Sequence, residues 1–136
     1  MKILVLSDLH LEMGDLDLFV DGQRIDDCVD AVVLAGDVMN GPGGPAWARQ
    51  AFPNKEIVMV SGNHELYGLD WLEGLERLRE DSASHGVHFL EDAAVEIDGV
   101  RFLGCTLWTD FCLHGDRKST RLNSSHLKLS RMPSSA

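Results

Sequence analysis

The ten residues EIVMVSGNHE, at positions 56–65, decide the fold. They begin with an apolar run, Ile57 to Val60, which is typical of a buried β-strand. The run leads into Gly62-Asn63-His64-Glu65, where a glycine, an amide, an imidazole and a carboxylate follow one another. Because open α/β sheets bind ligands at the carboxyl ends of their strands, we interpret this stretch as the centre of a functional site.

Two earlier stretches have the same design. The run Lys2 to Leu6 predicts a strand buried on both faces, and it ends in Ser7-Asp8-Leu9-His10. The run Ala31 to Ala35 predicts a second buried strand, which ends in Gly36-Asp37. On extended backbone Asp8 and His10 would point to the same side, so that both could reach one cation. For this pair alone, a solvated polar strand end is the alternative.

The segments around the third strand predict helices. A short helix is expected from Ala46 to Phe52, closed by Pro53. A longer amphipathic helix follows the 56–65 stretch, with Asp70 and Glu73 resembling a capping box and Gly86 as its terminator. The leucines expected on its buried face are Leu69, Leu72, Leu75 and Leu78.

The remaining segments are simpler to interpret. A short strand is expected from Val87 to Leu90, and Asp98-Gly99 between two apolar runs predicts a β-hairpin with a type I′ turn. The acidic stretch from Leu11 to Cys28 is predicted to be a solvated surface loop without a chemical role.

Composition excludes several classes of protein. A chain of 136 residues with 44% hydrophobic and 25% charged residues is ordinary for one globular domain. Its net charge of −10 disfavours binding to nucleic acid or to an anionic membrane. No apolar run approaches the ~20 residues that a membrane helix needs. Three cysteines without a CxxC pair fit reduced thiols, so we predict a cytoplasmic protein.

The ordered set Asp8-x-His10, Gly36-Asp37 and Gly62-Asn63-His64-Glu65 resembles the calcineurin-like metallophosphoesterase superfamily. The segment Gly104 to Phe111 also resembles the middle of small bacterial members. The resemblance implies an α/β fold, namely the N-terminal portion of a four-layer αββα sandwich, with a mixed sheet and flanking helices.

The resemblance also implies a chemistry. Two divalent ions, Mn, Fe or Zn, would activate a water molecule that hydrolyses a small phosphomonoester or phosphodiester. His64 would act at the phosphoryl group of the substrate without binding metal, and Glu65 would orient the backbone or the imidazole. The implied metal ligands are Asp8 and His10 for the first ion, Asp37 as the bridge, and Asn63 for the second ion.

The superfamily pattern continues to a separate histidine and a Gly-His-x-His segment, and this sequence lacks both. Residues 116–136 resemble an in-frame translation of a sequencing adapter. We therefore predict a partial phosphoesterase domain at residues 1–115, with exposed apolar surface, and a non-native, disordered tail at residues 116–136. The alternative is a genuine basic, serine-rich tail.

Two functional hypotheses follow from this pattern. The first is metal-dependent phosphoester hydrolysis. The second, which we expect for this polypeptide by itself, is a non-catalytic fragment with weak or no metal binding, because the ligands present would leave each ion too many waters. A flavodoxin-like or nucleotide-binding module would share the strand–helix pattern, but it gives no reason for Asn63-His64-Glu65.

Overall fold

A parallel β-sheet is the centre of the fold in the computed structural model, which describes residues 1–107. The elements in chain order are β1 (Ile3–Leu6), β2 (Phe19–Val20), β3 (Gln23–Arg24), β4 (Ala31–Ala35), α1 (Gly44–Ala51), β5 (Glu56–Val60), α2 (Trp71–His85), β6 (His88–Phe89), β7 (Ala93–Ile97) and β8 (Val100–Gly104). A short 3-10 helix at His64–Leu66 lies between β5 and α2.

The sheet has the strand order β1-β4-β5-β6, and all neighbouring pairs are parallel. The register aligns Leu6 with Leu34 and Leu34 with Met59, so β1, β4 and β5 end at nearly the same level. The segments that follow these three strands therefore emerge at one edge of the sheet. This arrangement confirms the predicted α/β class.

One face of the sheet is covered by both helices. Alternate residues of the strands, among them Val32, Leu34, Ile57 and Met59, have no exposed surface and form the main core. Ala48 and Phe52 contribute from the region of α1, and Leu75 and Leu78 contribute from α2. Burial of such side chains contributes about 1.5–3 kcal/mol each, so this face supplies most of the hydrophobic stabilisation.

The ends of α2 agree with the sequence. The Asp70 side chain accepts hydrogen bonds from the backbone N–H groups of Leu72 (3.0 Å) and Glu73 (3.5 Å). Gly86 ends the helix in the left-handed conformation, with φ of +63°. The predicted leucine stripe is wrong at Leu72, which is 74% exposed. The buried face of α2 runs through Leu75, Leu78 and Ser82, and Leu72 lies on another side of the helix.

The opposite face of the sheet is covered by the antiparallel hairpin of β7 and β8. Val58, Leu90 and Ile97 form a second, smaller core between the sheet and the hairpin. Asp98 and Gly99 both have positive φ, +49° and +75°, which is the backbone of a type I′ turn. The predicted hairpin is therefore confirmed.

Strand β1 corrects one prediction. It lies at the edge of the sheet, and Ile3 and Val5 on the hairpin side are 40% and 62% exposed. The hairpin packs over β5, and no other element of residues 1–107 covers β1 on this side. The expectation that β1 is buried on both faces is wrong in this structure, because an apolar run has the same sequence whether or not a second layer covers it.

Several predictions concern residues 108–136, which lie outside the described residues. They include the non-native tail at residues 116–136 and the end of the partial domain at residue 115, and both stay predictions. Cys28 and Cys105 are free thiols. Within residues 1–107, no helix is both long enough and apolar enough to span a bilayer.

Candidate metal centre

The loop after β1 is hydrogen-bonded to the loop after β4. The backbone N–H of Asp8 donates to the Gly36 carbonyl (3.1 Å), and that of His10 donates to the Asp37 carbonyl (3.1 Å). The backbone N–H of Leu11 donates to the carbonyl of Val38, the residue after Asp37 (3.0 Å). These bonds extend the pairing of the two strands beyond their ends and hold Asp8 and His10 beside Asp37.

Three of the predicted ligands lie on left-handed backbone. The φ angles are +52° at Asp8, +46° at His10 and +54° at Asp37. Left-handed backbone is unfavourable for most side chains, and it concentrates at functional sites where the surrounding structure enforces it. The expectation of an extended Asp8–His10 segment is therefore wrong: the cross-loop hydrogen bonds twist this segment out of the strand conformation.

Close backbone contact joins the loops after β4 and β5. A Cβ atom on Gly36 would lie 2.8 Å from the backbone nitrogen of Gly62, and a Cβ on Gly62 would lie 2.6 Å from that of Asp37. Only glycine permits this approach. The two glycines thus bring Asp37 directly against the loop that carries Asn63 and His64.

Glu65 lies beneath this contact and is completely buried. Its carboxylate accepts hydrogen bonds from three backbone N–H groups, those of Val38 (2.7 Å), Gly62 (2.8 Å) and Asp37 (3.1 Å). Burial raises the pKa of the Glu65 carboxyl, while the N–H donors act in the opposite direction. We call Gly36, Gly62 and Glu65 the floor of the site.

Four polar side chains, His10, Glu12, Asn40 and His64, lie above the floor and form what we call the rim. Glu12 Oε1 lies 3.3 Å from His10 Nδ1 and 3.1 Å from His64 Nδ1. Asn40 Oδ1 lies 2.9 Å from the same nitrogen of His64. Hydrogen bonds, first with its own backbone N–H and then with the two imidazoles, lower the pKa of Glu12, so its carboxylate is charged at neutral pH.

The floor and the rim together create a group of potential metal ligands. His10, Asp37 and His64 each offer one nitrogen or oxygen atom, and these atoms lie within 4.8 Å of one another. All three residues are partly buried. Imidazole and carboxylate donors in this mixture fit a divalent transition metal. Asp8 is not a member of this group, whereas His64, which was expected to face the substrate, belongs to it.

Asn63 is oriented by a residue that the sequence analysis missed. Its Nδ2 donates a hydrogen bond to the Tyr67 hydroxyl (2.7 Å), which leaves Oδ1 available to a metal ion. The Tyr67 ring also lies 4.4 Å from the imidazole of His64, between ring centroids. The backbone N–H of His64 donates to Asp37 Oδ1 (2.9 Å) and orients that carboxylate. The spacing of four residues between Asn63 and Tyr67 is the one signal that the sequence offered for this contact.

Comparison with known proteins assigns the family. The model of the family described as calcineurin-like phosphoesterase matches residues 1–134. A search of curated proteins gave no significant match. The parallel sheet with two helices is consistent with the N-terminal part of a metallophosphoesterase fold. Because the match covers nearly the whole sequence, the chain belongs to the calcineurin-like phosphoesterase family, whose superfamily consists of hydrolases.

Proposed function

We propose that this site hydrolyses a small phosphomonoester or phosphodiester with water as the nucleophile. The observation that carries the proposal is the convergence of His10, Asp37 and His64 at the carboxyl edge of the sheet, within 4.8 Å of one another. In a member of this family, such a group supports metal-dependent hydrolysis.

The cofactors that we propose are two divalent ions, for which Mn, Fe or Zn are the candidates. Asp8 and His10 would hold the first ion, and Asp37 would bridge both ions with its two carboxylate oxygens. Asn63 would offer Oδ1 to the second ion, because its Nδ2 is already bonded to Tyr67. When bound, the ions supply the Lewis acidity and the water activation that this reaction class requires.

The role that we propose for His64 is to donate a proton or to stabilise charge at the substrate phosphoryl group. Its ring lies 4.3 Å from that of His10 in an edge-on arrangement, so it adjoins the candidate metal position. Its backbone is fixed by the bond to Asp37 Oδ1. A histidine held in this position supplies general acid–base catalysis, which contributes typically about 10²–10⁴-fold in rate.

Hydrolysis of p-nitrophenyl phosphate and of its bis-ester by the full chain with added Mn²⁺ tests this proposal. We expect turnover that depends on Mn²⁺. Asp37→Asn should lower it by more than the roughly 10–100-fold typical for losing a residue that only supports a metal ligand. Asparagine tolerates left-handed backbone, so this change removes the charge and spares the conformation. Asp15→Ala, at an exposed acid of the loop after β1, is the matched control.

A second candidate function is metal binding without catalysis. It is favoured by one observation: the part of the chain that the structure describes contains a single group of three or more histidine, cysteine or acidic ligands, whereas two ions need more. Calorimetric titration with Mn²⁺ separates the candidates. Binding without turnover of either ester would support the second, and it would agree with the expectation that this polypeptide is inactive.

A further inference from the structure

Glu12 contacts three parts of the site, although neither the sequence pattern nor the proposed reaction gives it a role. Its Oε1 lies within hydrogen-bonding distance of His10 Nδ1 (3.3 Å) and His64 Nδ1 (3.1 Å). Its Oε2 accepts the backbone N–H of Asn40 (3.3 Å). A single carboxylate therefore links the loops that follow β1, β4 and β5.

These contacts restrict where the imidazole protons lie. An ionised carboxylate only accepts hydrogen bonds, so Nδ1 of both rings must be the donor. The second neighbour of His64 Nδ1 is Asn40 Oδ1 at 2.9 Å, which is also an acceptor. The proton on one ring nitrogen is set by the hydrogen bond that this nitrogen makes, and the other nitrogen is left for metal binding or proton transfer.

We propose that Glu12 is a positioning residue that holds His10 and His64 together in the Nδ1–H form. At His10 this leaves the Nε2 lone pair for a cation, and at His64 it makes Nε2 the atom that takes up and releases a proton. The catalytic use of these tautomers rests on the proposed function. The tautomers themselves can be measured in the metal-free chain.

The edge-on packing of the two rings supports a shared partner. The ring centroids of His10 and His64 lie 4.3 Å apart with an interplanar angle of 76°. Nδ1 of each ring lies against Glu12 Oε1, so turning either ring over would remove that ring's contact with the carboxylate. One carboxylate thus orients both imidazoles.

Two-bond ¹H–¹⁵N correlation spectra of the ¹⁵N-labelled, metal-free full chain test the proposal at about pH 8.5, above the usual pKa of histidine. We expect the Nδ1–H pattern for His10 and His64 in the wild type. Glu12→Ala should move His10 toward the Nε2–H pattern, and His64 to a smaller extent because Asn40 Oδ1 remains as an acceptor. Glu12→Gln keeps an acceptor oxygen and should restore part of the wild-type pattern.

The chain supplies its own controls. His85 Nδ1 lies 2.8 Å from the Asp81 carbonyl oxygen, so its Nδ1–H signal should stay unchanged in every variant. Asp15→Ala removes an exposed acid from the same loop and should leave all the imidazoles unchanged. Finding His10 and His64 as Nε2–H forms in the wild type, or unchanged in Glu12→Ala, would overturn the proposal. If Glu12→Ala does not fold, the wild-type and Glu12→Gln spectra still decide it.

Metal affinity provides the second measurement. Calorimetric titration with Mn²⁺ should show affinity about 10–100-fold lower in Glu12→Ala than in the wild type, as for other partners of metal-binding histidines. Unchanged affinity would contradict the positioning role. If the wild type does not hydrolyse either ester, but Glu12→Ala changes the tautomers of His10 and His64 as expected, the proposed function is refuted and the Glu12 inference stands. Hydrolysis without the tautomer shifts would refute the Glu12 inference alone.

Discussion

The floor and the rim each contain one glutamate, and the two residues make opposite kinds of contact. Glu65 in the floor has no exposed surface, and its carboxylate accepts hydrogen bonds from three backbone N–H groups. The Glu12 side chain in the rim is 25% exposed and faces two imidazoles. A buried carboxylate bonded to backbone shapes loops, whereas an exposed carboxylate beside imidazoles sets their chemistry. We therefore expect mutations in the floor to lower the stability of the fold, and mutation of Glu12 to change the chemistry of the imidazoles.

Glu65→Ala should have the largest effect on stability. It removes the acceptor of three N–H groups, and each buried donor left without a partner costs about 1–3 kcal/mol. We expect a loss of roughly 3 kcal/mol or more in the free energy of unfolding, measured by urea denaturation followed by circular dichroism. Glu65→Gln, which retains one acceptor oxygen, should lose less.

The control for this change is Glu73→Ala, at an exposed acid on α2 that pairs with Arg77 four residues later. Its urea midpoint should stay close to that of the wild type. Equal midpoints for Glu65→Ala and the wild type would show that the floor does not depend on the buried carboxylate.

Gly62→Ala should have an intermediate effect. The added Cβ would meet the backbone nitrogen of Asp37 at 2.6 Å, and backbone cannot move aside as a flexible side chain can. Forcing an extra carbon into a packed site typically costs about 1–3 kcal/mol, and here it would also displace Asp37. Urea denaturation measures the loss of stability. Titration with Mn²⁺ measures the loss of metal affinity that displacement of Asp37 would cause. Gly14→Ala, where a Cβ would meet nothing within 4 Å, should change neither.

Glu12→Ala should have the smallest effect on stability, although it changes the chemistry of the rim. Its carboxylate contacts groups that water also reaches, so its loss leaves no buried donor without a partner. We expect a urea midpoint indistinguishable from that of the wild type. A large fall in the midpoint would show that Glu12 stabilises the fold as Glu65 does, and would contradict the proposed difference between the two glutamates.

Much of the fold was predictable because strand ends carry the decisive signals. The runs before Gly36 and Gly62 are short, apolar and closed by glycine, which is the pattern of parallel strands in an α/β sheet. Asp70, Gly86 and the Asp98-Gly99 pair act through local geometry alone, so the sequence predicted the cap, the terminator and the turn directly. These features need no knowledge of distant residues.

The remaining features depend on contacts between distant residues. Left-handed backbone at Asp8 and His10 follows from hydrogen bonds to the loop after β4, which is remote in sequence. Glu12 lies 52 residues from His64, and its acidic surroundings indicated only a solvated loop. The exposure of Ile3 and Val5 depends on which layer covers β1, and an apolar run does not encode this.

The hydrogen bonds of Glu65 also link the site to the opening motions of the sheet. Two of them, from the N–H groups of Val38 and Asp37, connect residues 27 and 28 positions apart, so these two can form only when β4 and β5 are already paired. The amide protons of Asp37 and Val38 should therefore exchange with solvent as slowly as those of the central strands, although they lie in loops. Site and sheet then form one cooperative unit, in which the candidate metal ligands stay in place until the sheet itself opens.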